Sequence, residues 1–376
     1  MKIKVFQVFE NYPVFYQPYL QWIMKSLDQA FEISQKILTF NKPQKAKDYI
    51  FALPSYRRRK YLNAFQRLFS SSLHEFNFLE SKAIKEKVDV IHIQHSYLFR
   101  KVKNILQKDL RSLPKIVITL RGGDTYVKPW VNKDWLDFFN NYGNKVSAFI
   151  VMSRNQKMYL HQKWGVDLER IYVIPISFGN SFNADMKSPN KNKLKLVSVF
   201  RLNWEKNLHG NLQLILMLKN KGVDVSYDIY GDGVELGKLF YLIDNLGLKD
   251  EVKVKGRVDN DMLKRKLIQY DFIIQLSHSE SLGMSVIEAQ TFGVPAIVSD
   301  QGGLPEVIVD KKTGFVLNQF HLEKQLDNIV NIWKDENMYK KMSFEAIQFS
   351  QSTFNVNRER EQLLNLYREI TQKVRY

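Results

Sequence analysis

Residues 271–300 read DFIIQLSHSESLGMSVIEAQTFGVPAIVSD, and this stretch constrains the fold more than any other. Two apolar, β-rich runs, 271–277 and 294–300, are each long enough for one buried strand. Between them MSVIEAQTF (284–292) has helical composition and stops at Gly293, a residue suited to ending a helix. Strand, loop, helix, strand is a βαβ unit, and its strands are parallel. In parallel sheets ligands sit beyond the carboxyl ends of the strands, which is where the loop HSESLG (278–283) falls.

That placement sets what the loop can hold. The amides that open the helix, near Gly283 and Met284, favour an anion such as a phosphate, as does the helix dipole. Glu280 on the loop and Glu288 on the helix flank this position. Two carboxylates beside a phosphate are sensible as acceptors from sugar or ribose hydroxyls; two solvated surface charges are the alternative. Upstream, SVFRLNWEKN (198–207) closes another strand, with Arg201 and Lys206 past its carboxyl end. A guanidinium and an ammonium, with the helix N-terminus, can neutralise a diphosphate without a metal. An exposed basic loop is the other reading of those two residues. YGDG (230–233) and VKGRVDN (254–260) repeat the glycine-after-strand pattern. Backbone at Gly256 and Arg257 can read a nucleobase edge there, although plain turns also explain both.

The same alternation runs through most of the 376 residues, a length that suits two domains. KVFQVF, EISQKILTF, VDVIHIQ, KIVITL and SAFIVMS read as strands of the first, with PYLQWIMKSLDQ, DWLDFFNNYG and NQKMYLHQKWG as helices between them. Residues 177–193, SFGNSFNADMKSPNKNK, are polar and read as the linker. Alternation restarts at KLKLVSVF, and from about His321 the chain is helical. The expected fold is therefore α/β: two doubly wound domains, 1–178 and 179–354, followed by a C-terminal helical segment, 355–376.

Charge separates the halves. The net charge is +17, and residues 1–180 hold 29 Lys and Arg against 14 Asp and Glu, so the first half carries +15 of it. An anionic membrane, nucleic acid or an acidic substrate would meet that half. There is no cysteine, which excludes disulfides, thiolate metal sites and thiol nucleophiles. Glu10 and Asn11 end the N-terminal apolar run too early for a secretory signal, and no apolar stretch is long enough to span a bilayer. A cytoplasmic, non-spanning protein is expected.

The ordered set FRLNWEKN, YGDGVEL, KVKGRV, SHSESLGMSVIEAQTFGVPAIVSDQGGLPEVI and KKTGF resembles the nucleotide-sugar domain of retaining GT-B glycosyltransferases of the group 1, family 4 type. The resemblance covers residues 193–318. It implies two Rossmann-like domains facing a cleft, with the last helix crossing back to the first. It also implies that Glu280 contacts donor-sugar hydroxyls and Glu288 holds the ribose diol. Arg201 and Lys206 would stabilise the departing diphosphate, helped by the Gly283–Met284 amides, and Gly256, Arg257 and Val258 would lie along the base. Gly302 and Gly303, with conformational freedom near the sugar, are candidates for the same site, and Glu306 matches the glutamate of the family's GG-x-x-E element. A nucleoside-diphosphate sugar, UDP-linked by family frequency, would be the donor, with no cofactor and no metal. The acceptor would be a glycan or a lipid-linked glycan in cell-surface polysaccharide assembly. A nucleotide-sugar 2-epimerase of the same fold and a non-catalytic basic protein binding nucleic acid or membrane are the rivals.

The first half matches the family less. VFENYPVFYQPYL (8–20) lacks the glycine-rich loop that many relatives carry after the first strand. LRGGDTY (120–126) stands where many relatives have a His-Gly-x-Asp-like sequence, with Arg121 in place of the histidine. Arg121, Gly122, Gly123 and Asp124 are acceptor-side candidates, with a turn capped by Asp124 as the alternative. His95 lies past a strand end and joins them; His92 reads as a core histidine, and His278 as a bystander on the site loop. Trp130 and Trp135 suit either sugar stacking or packing. RRRKYLNAFQRLF (57–69) places five basic residues among aromatic and leucine side chains, a pattern for a helix lying on an anionic membrane or packed on the domain. A peripheral position on the inner face of the plasma membrane would follow from the first. No recognised nucleic-acid module accompanies the basic half.

Overall fold

The computed structural model describes residues 2–13, 17–41, 50–69, 75–108, 112–179 and 184–372. The chain forms two compact units, Met1–Gly179 with Val356–Tyr376, and Asn180–Asn355.

The first unit is built on seven parallel strands: β1 (Ile3–Phe9), β2 (Ile33–Thr39), β3 (Ile50–Ala52), β4 (Val90–Ile93), β5 (Lys115–Thr119), β6 (Ala148–Val151) and β7 (Ile171–Val173). Their order is β3-β2-β1-β4-β5-β6-β7, so the winding reverses between β1 and β4. Strands covered on both faces are near-continuously apolar, and β4 and β6 are buried at every position. The polar exception in β4 is His92, 1% exposed. Its Nδ1 lies 2.7 Å from the Tyr367 hydroxyl and its Nε2 2.7 Å from Thr119 Oγ1, which satisfies both ring nitrogens in the core. Tyr367 belongs to the last helix, Val356–Gln372, which returns to this unit and packs on the helix Tyr19–Asp28. Its buried Glu359 accepts from the Ser177 amide at 2.9 Å. Burial pushes that carboxyl up to about 7, against the opposing pull of the Arg121 charge.

The second unit has six parallel strands: β8 (Leu194–Val199), β9 (Val225–Tyr230), β10 (Val252–Gly256), β11 (Phe272–Gln275), β12 (Ala296–Ser299) and β13 (Gly314–Leu317). The order β10-β9-β8-β11-β12-β13 reverses between β8 and β11. The loops after β8 and β11 therefore flank the switch point, the usual ligand crevice of such sheets. The helix Met284–Thr291 joins β11 to β12 and is backed by the long helix Glu336–Thr353.

The polar stretch 177–193 is less of a free linker than its composition implies. Within it the structure describes 177–179 and 184–193. The buried Asp271 carboxylate accepts from the Asn190 amide at 2.9 Å, from Asn190 Nδ2 at 2.8 Å and from the Lys195 amide at 2.8 Å. Its polarity thus serves docking onto the second unit.

Candidate functional site

The loop after β8 is shaped by two asparagines and a glycine. Asn207 takes a left-handed conformation (φ +48°) that asparagine tolerates, and its side chain caps the helix Leu208–Asn220 by accepting from the Gly210 amide at 3.0 Å. Asn211, 1% exposed, donates to the Lys206 carbonyl at 2.8 Å and accepts from the Leu276 amide at 3.2 Å. That one side chain ties the loop after β8 to the end of β11. Beside it a Cβ on Gly231 would stand 1.8 Å from the Phe200 carbonyl oxygen, so only glycine lets the YGDG turn lie against the β8 exit.

These supports bring two charged side chains together. Lys206 Nζ lies 2.5 Å from Glu280 Oε2, with the two side chains 11% and 17% exposed. Gln275 Nε2 donates to the same oxygen at 2.6 Å, while the Ser281 amide donates to Oε1 at 3.1 Å. The loop after β12 grips the Glu280 backbone. Gly302 has φ +59°, and a Cβ there would lie 2.1 Å from the Glu280 carbonyl oxygen. Gly303 donates its amide to that oxygen at 2.8 Å, with an ordinary φ of −84°. The expected left-handed freedom thus holds for Gly302 alone; Gly303 contributes its N–H. Glu306 closes the short turn Leu304–Glu306 that follows.

Gly283 caps the helix Met284–Thr291, and its carbonyl accepts from Val286 and Ile287. The Met284 and Ser285 amides in that first turn have no intrahelical acceptor by geometry. Glu288 lies one turn along, half-buried and with no hydrogen-bonded partner among the described residues. Burial pushes its carboxyl up to about 7, and Lys264 opposes the shift. Arg201 is open to solvent, its side chain 78% exposed and 3.9 Å from Glu205 Oε1. Gly256 ends β10 and Arg257 and Val258 follow it on the same edge, where the Gly256 carbonyl accepts from the Gly231 amide at 2.9 Å. His278 is exposed; its amide donates to the Glu205 carbonyl at 2.8 Å and its Nδ1 lies 2.7 Å from Gln319 Oε1. Direct contacts therefore join Lys206, Glu280, Gly302 and Gly303, while the other candidates share the edge with them. Sequence reasoning missed Gln275 and Asn211, whose signal was a polar residue inside an apolar run. Among the described residues no group of three or more His, Asp and Glu is placed to hold a metal.

The acceptor-side candidates are used differently. Asp124 is 6% exposed, and its carboxylate accepts from the Arg121 amide at 3.1 Å, the Gly122 amide at 3.0 Å and the Ser96 hydroxyl at 2.6 Å. This is the capped turn that the sequence offered as the alternative: the carboxylate binds the turn that opens the helix Gly123–Tyr126. Arg121 turns its guanidinium onto Gln94, donating to the side-chain oxygen at 2.9 Å and to the carbonyl. His95 Nδ1 accepts from the Glu10 amide at 3.0 Å, and burial with the nearby Arg121 charge brings its pKa down to about 4, so the ring is neutral at pH 7. Trp135, 3% exposed, packs against Phe99 and Phe138 and is core rather than a sugar platform. Trp130 is exposed and donates to the Tyr159 hydroxyl at 3.1 Å. The basic stretch forms the helix Tyr56–Phe69, with side chains described through Phe65. Tyr61 and Phe65, 76% and 54% exposed, project outward together with Arg57, Arg58 and Lys60. No helix among the described residues is long and apolar enough to cross a membrane.

Comparison with known proteins gives the family of both units. Residues 181–349 match the family model for glycosyl transferases group 1, and residues 33–176 that for glycosyltransferase family 4. The chain is similar to N-acetyl-alpha-D-glucosaminyl L-malate synthase of Bacillus anthracis, 26% identical over 273 residues, which span 70% of each chain. It is 31% identical over 290 residues to a 41.2 kDa protein in the cps region of Klebsiella pneumoniae, over 71% of this chain and 76% of that one. Among solved structures, Anabaena HepE in complex with UDP superposes with a TM-score of 0.69 at 18% identity, over 97% of this chain and 99% of that one.

Proposed function

Because the chain belongs to the group 1, family 4 glycosyltransferases and has their two-Rossmann-domain GT-B fold, we propose that it transfers a sugar from a UDP-sugar to a glycan or lipid-linked acceptor, with retention and without a metal ion. The observation that carries this reading is the Lys206–Glu280 pair at the β8/β11 switch point, beside the first turn of Met284–Thr291. Lys206 has two further protons to offer a phosphate while it holds Glu280. With exposed Arg201 and the Gly283–Met284 amides it answers the charge that develops on the leaving diphosphate. Glu280 then accepts from donor-sugar hydroxyls, and Glu288 from the ribose. Gly256, Arg257 and Val258 border the base.

Retention follows in this reading from the acceptor attacking the face from which the diphosphate departs. Glu280 is a poor nucleophile here, because two donors already occupy Oε2. The protein contributes position and charge rather than a covalent step. UDP as the donor nucleotide is supported by its presence in the HepE complex. Assignment to the cytoplasmic face of the plasma membrane rests on the helix Tyr56–Phe69, where Tyr61 and Phe65 emerge among arginines as an interfacial helix requires. The test is to run transfer from UDP-sugars to glycan and lipid-linked acceptors in EDTA and read the product anomer by NMR. An α-linked product from an α-linked donor supports the reading; an inverted product, or conversion of donor to its 2-epimer without acceptor, overturns it.

A further inference from the structure

We propose that Gln275 is a positioning residue that holds Glu280 in place when Lys206 engages the donor diphosphate; this rests on the glycosyltransferase reading above. Gln275 is the last residue of β11 and is 2% exposed. A primary amide so deeply buried is costly unless both of its ends are bonded. Both are. Nε2 donates to Glu280 Oε2 at 2.6 Å, and Oε1 accepts from the Ser285 hydroxyl at 3.0 Å. The reverse orientation of the amide would press its oxygen against a carboxylate, so electrostatics alone selects this one.

The result is a continuous relay. Ser285 sits in the first turn of the helix Met284–Thr291, where the anion would bind. It fixes Gln275, Gln275 fixes Glu280, and Glu280 pairs with Lys206. When a diphosphate arrives, Lys206 is drawn toward it and its hold on Glu280 weakens. Without a second donor the carboxylate would follow the ammonium away from the sugar. Gln275 carries no charge and does not respond to the phosphate, so it keeps Oε2 where it is and leaves Oε1 for hydroxyls. It touches no substrate and acts through Glu280.

The experiment measures two quantities in Gln275→Leu, Gln275→Met and Ser285→Ala. One is the Kd for UDP by calorimetry. The other is kcat for UDP release from a UDP-sugar that the wild type turns over. Gln275→Leu and Gln275→Met are expected to keep UDP affinity within about 2-fold and to lower kcat on the order of 10- to 100-fold, with a smaller loss for Ser285→Ala. The same substitutions are then made beside Glu280→Gln. If Gln275 acts through Glu280, its removal there costs nothing further. Wild-type kcat in the single variants, or losses that add fully in the double variants, would overturn the proposal while leaving the enzyme's function intact. A wild type that neither binds UDP nor turns over any UDP-sugar would instead remove the reading beneath it. Should the Gln275 variants not fold, Ser285→Ala alone and beside Glu280→Gln decides the same question.

Discussion

The two units share a winding scheme, yet the polar side chains at their carboxyl edges are bonded differently. In the second unit Lys206 and Glu280 meet at the edge with bonding capacity to spare, and Glu288 stands half-buried with no hydrogen bond among the described residues. In the first, the Asp124 carboxylate is bonded to the turn it builds, Arg121 donates to Gln94, and His92 lies between Tyr367 and Thr119. A polar residue past a strand end is thus no evidence of a site by itself. What separates the two edges is whether the surrounding groups leave donors and acceptors open to a ligand.

Substitution breaks the contrast most sharply at the ion pair. Lys206→Ala is expected to weaken UDP binding on the order of 100-fold, since it removes a phosphate partner and strands a largely buried carboxylate. Glu280→Ala should leave UDP affinity nearly unchanged and lower kcat on the order of 100-fold. On the first unit, Asp124→Ala strips acceptors from two amides and a hydroxyl. Loss of roughly 2–4 kcal/mol in denaturant titration, with UDP affinity intact, is the expected outcome.

A pH dependence sharpens the comparison further. Glu359 in the first unit keeps its proton to about pH 7, whereas the unfolded chain releases it near 4.5. Its contribution, roughly 3 kcal/mol, is therefore present below pH 4.5 and lost as pH rises to 7. Glu359→Gln should flatten that slope in denaturant titrations. Glu288 has the same direction of shift, but in its proposed role the ionised form accepts from a ribose. UDP affinity should accordingly rise between pH 6 and 8, and Glu288→Gln should abolish the rise. The smallest effect is at the surface: Arg57→Ala with Arg58→Ala should weaken binding to anionic vesicles about 30-fold and leave UDP binding untouched.

Much of this was legible in the residues, for reasons that differ by element. β11 and β12 are apolar runs bounded by turn residues, so their parallel pairing, and hence the shared edge of Lys206 and Glu280, followed from pattern alone. β3 and β7 are three residues each, too short to show a period. Gln275 hid within FIIQ because a strand pattern reports apolarity and says nothing of which polar residue it carries inward. Asp124 could be read as ligand or cap, since both uses favour an aspartate after glycines; only the burial of its carboxylate separates them. The polar run 177–193 looked loose because composition does not reveal that Asp271 was waiting for Asn190.

The most direct measurement is calorimetric titration of UDP, GDP and ADP, each in EDTA, into the wild type, Lys206→Ala and Asp124→Ala. Saturable binding of UDP that survives in Asp124→Ala and collapses in Lys206→Ala is the predicted result. Equal UDP affinity in the wild type and Lys206→Ala would contradict the assignment of the β8/β11 edge as the nucleotide site.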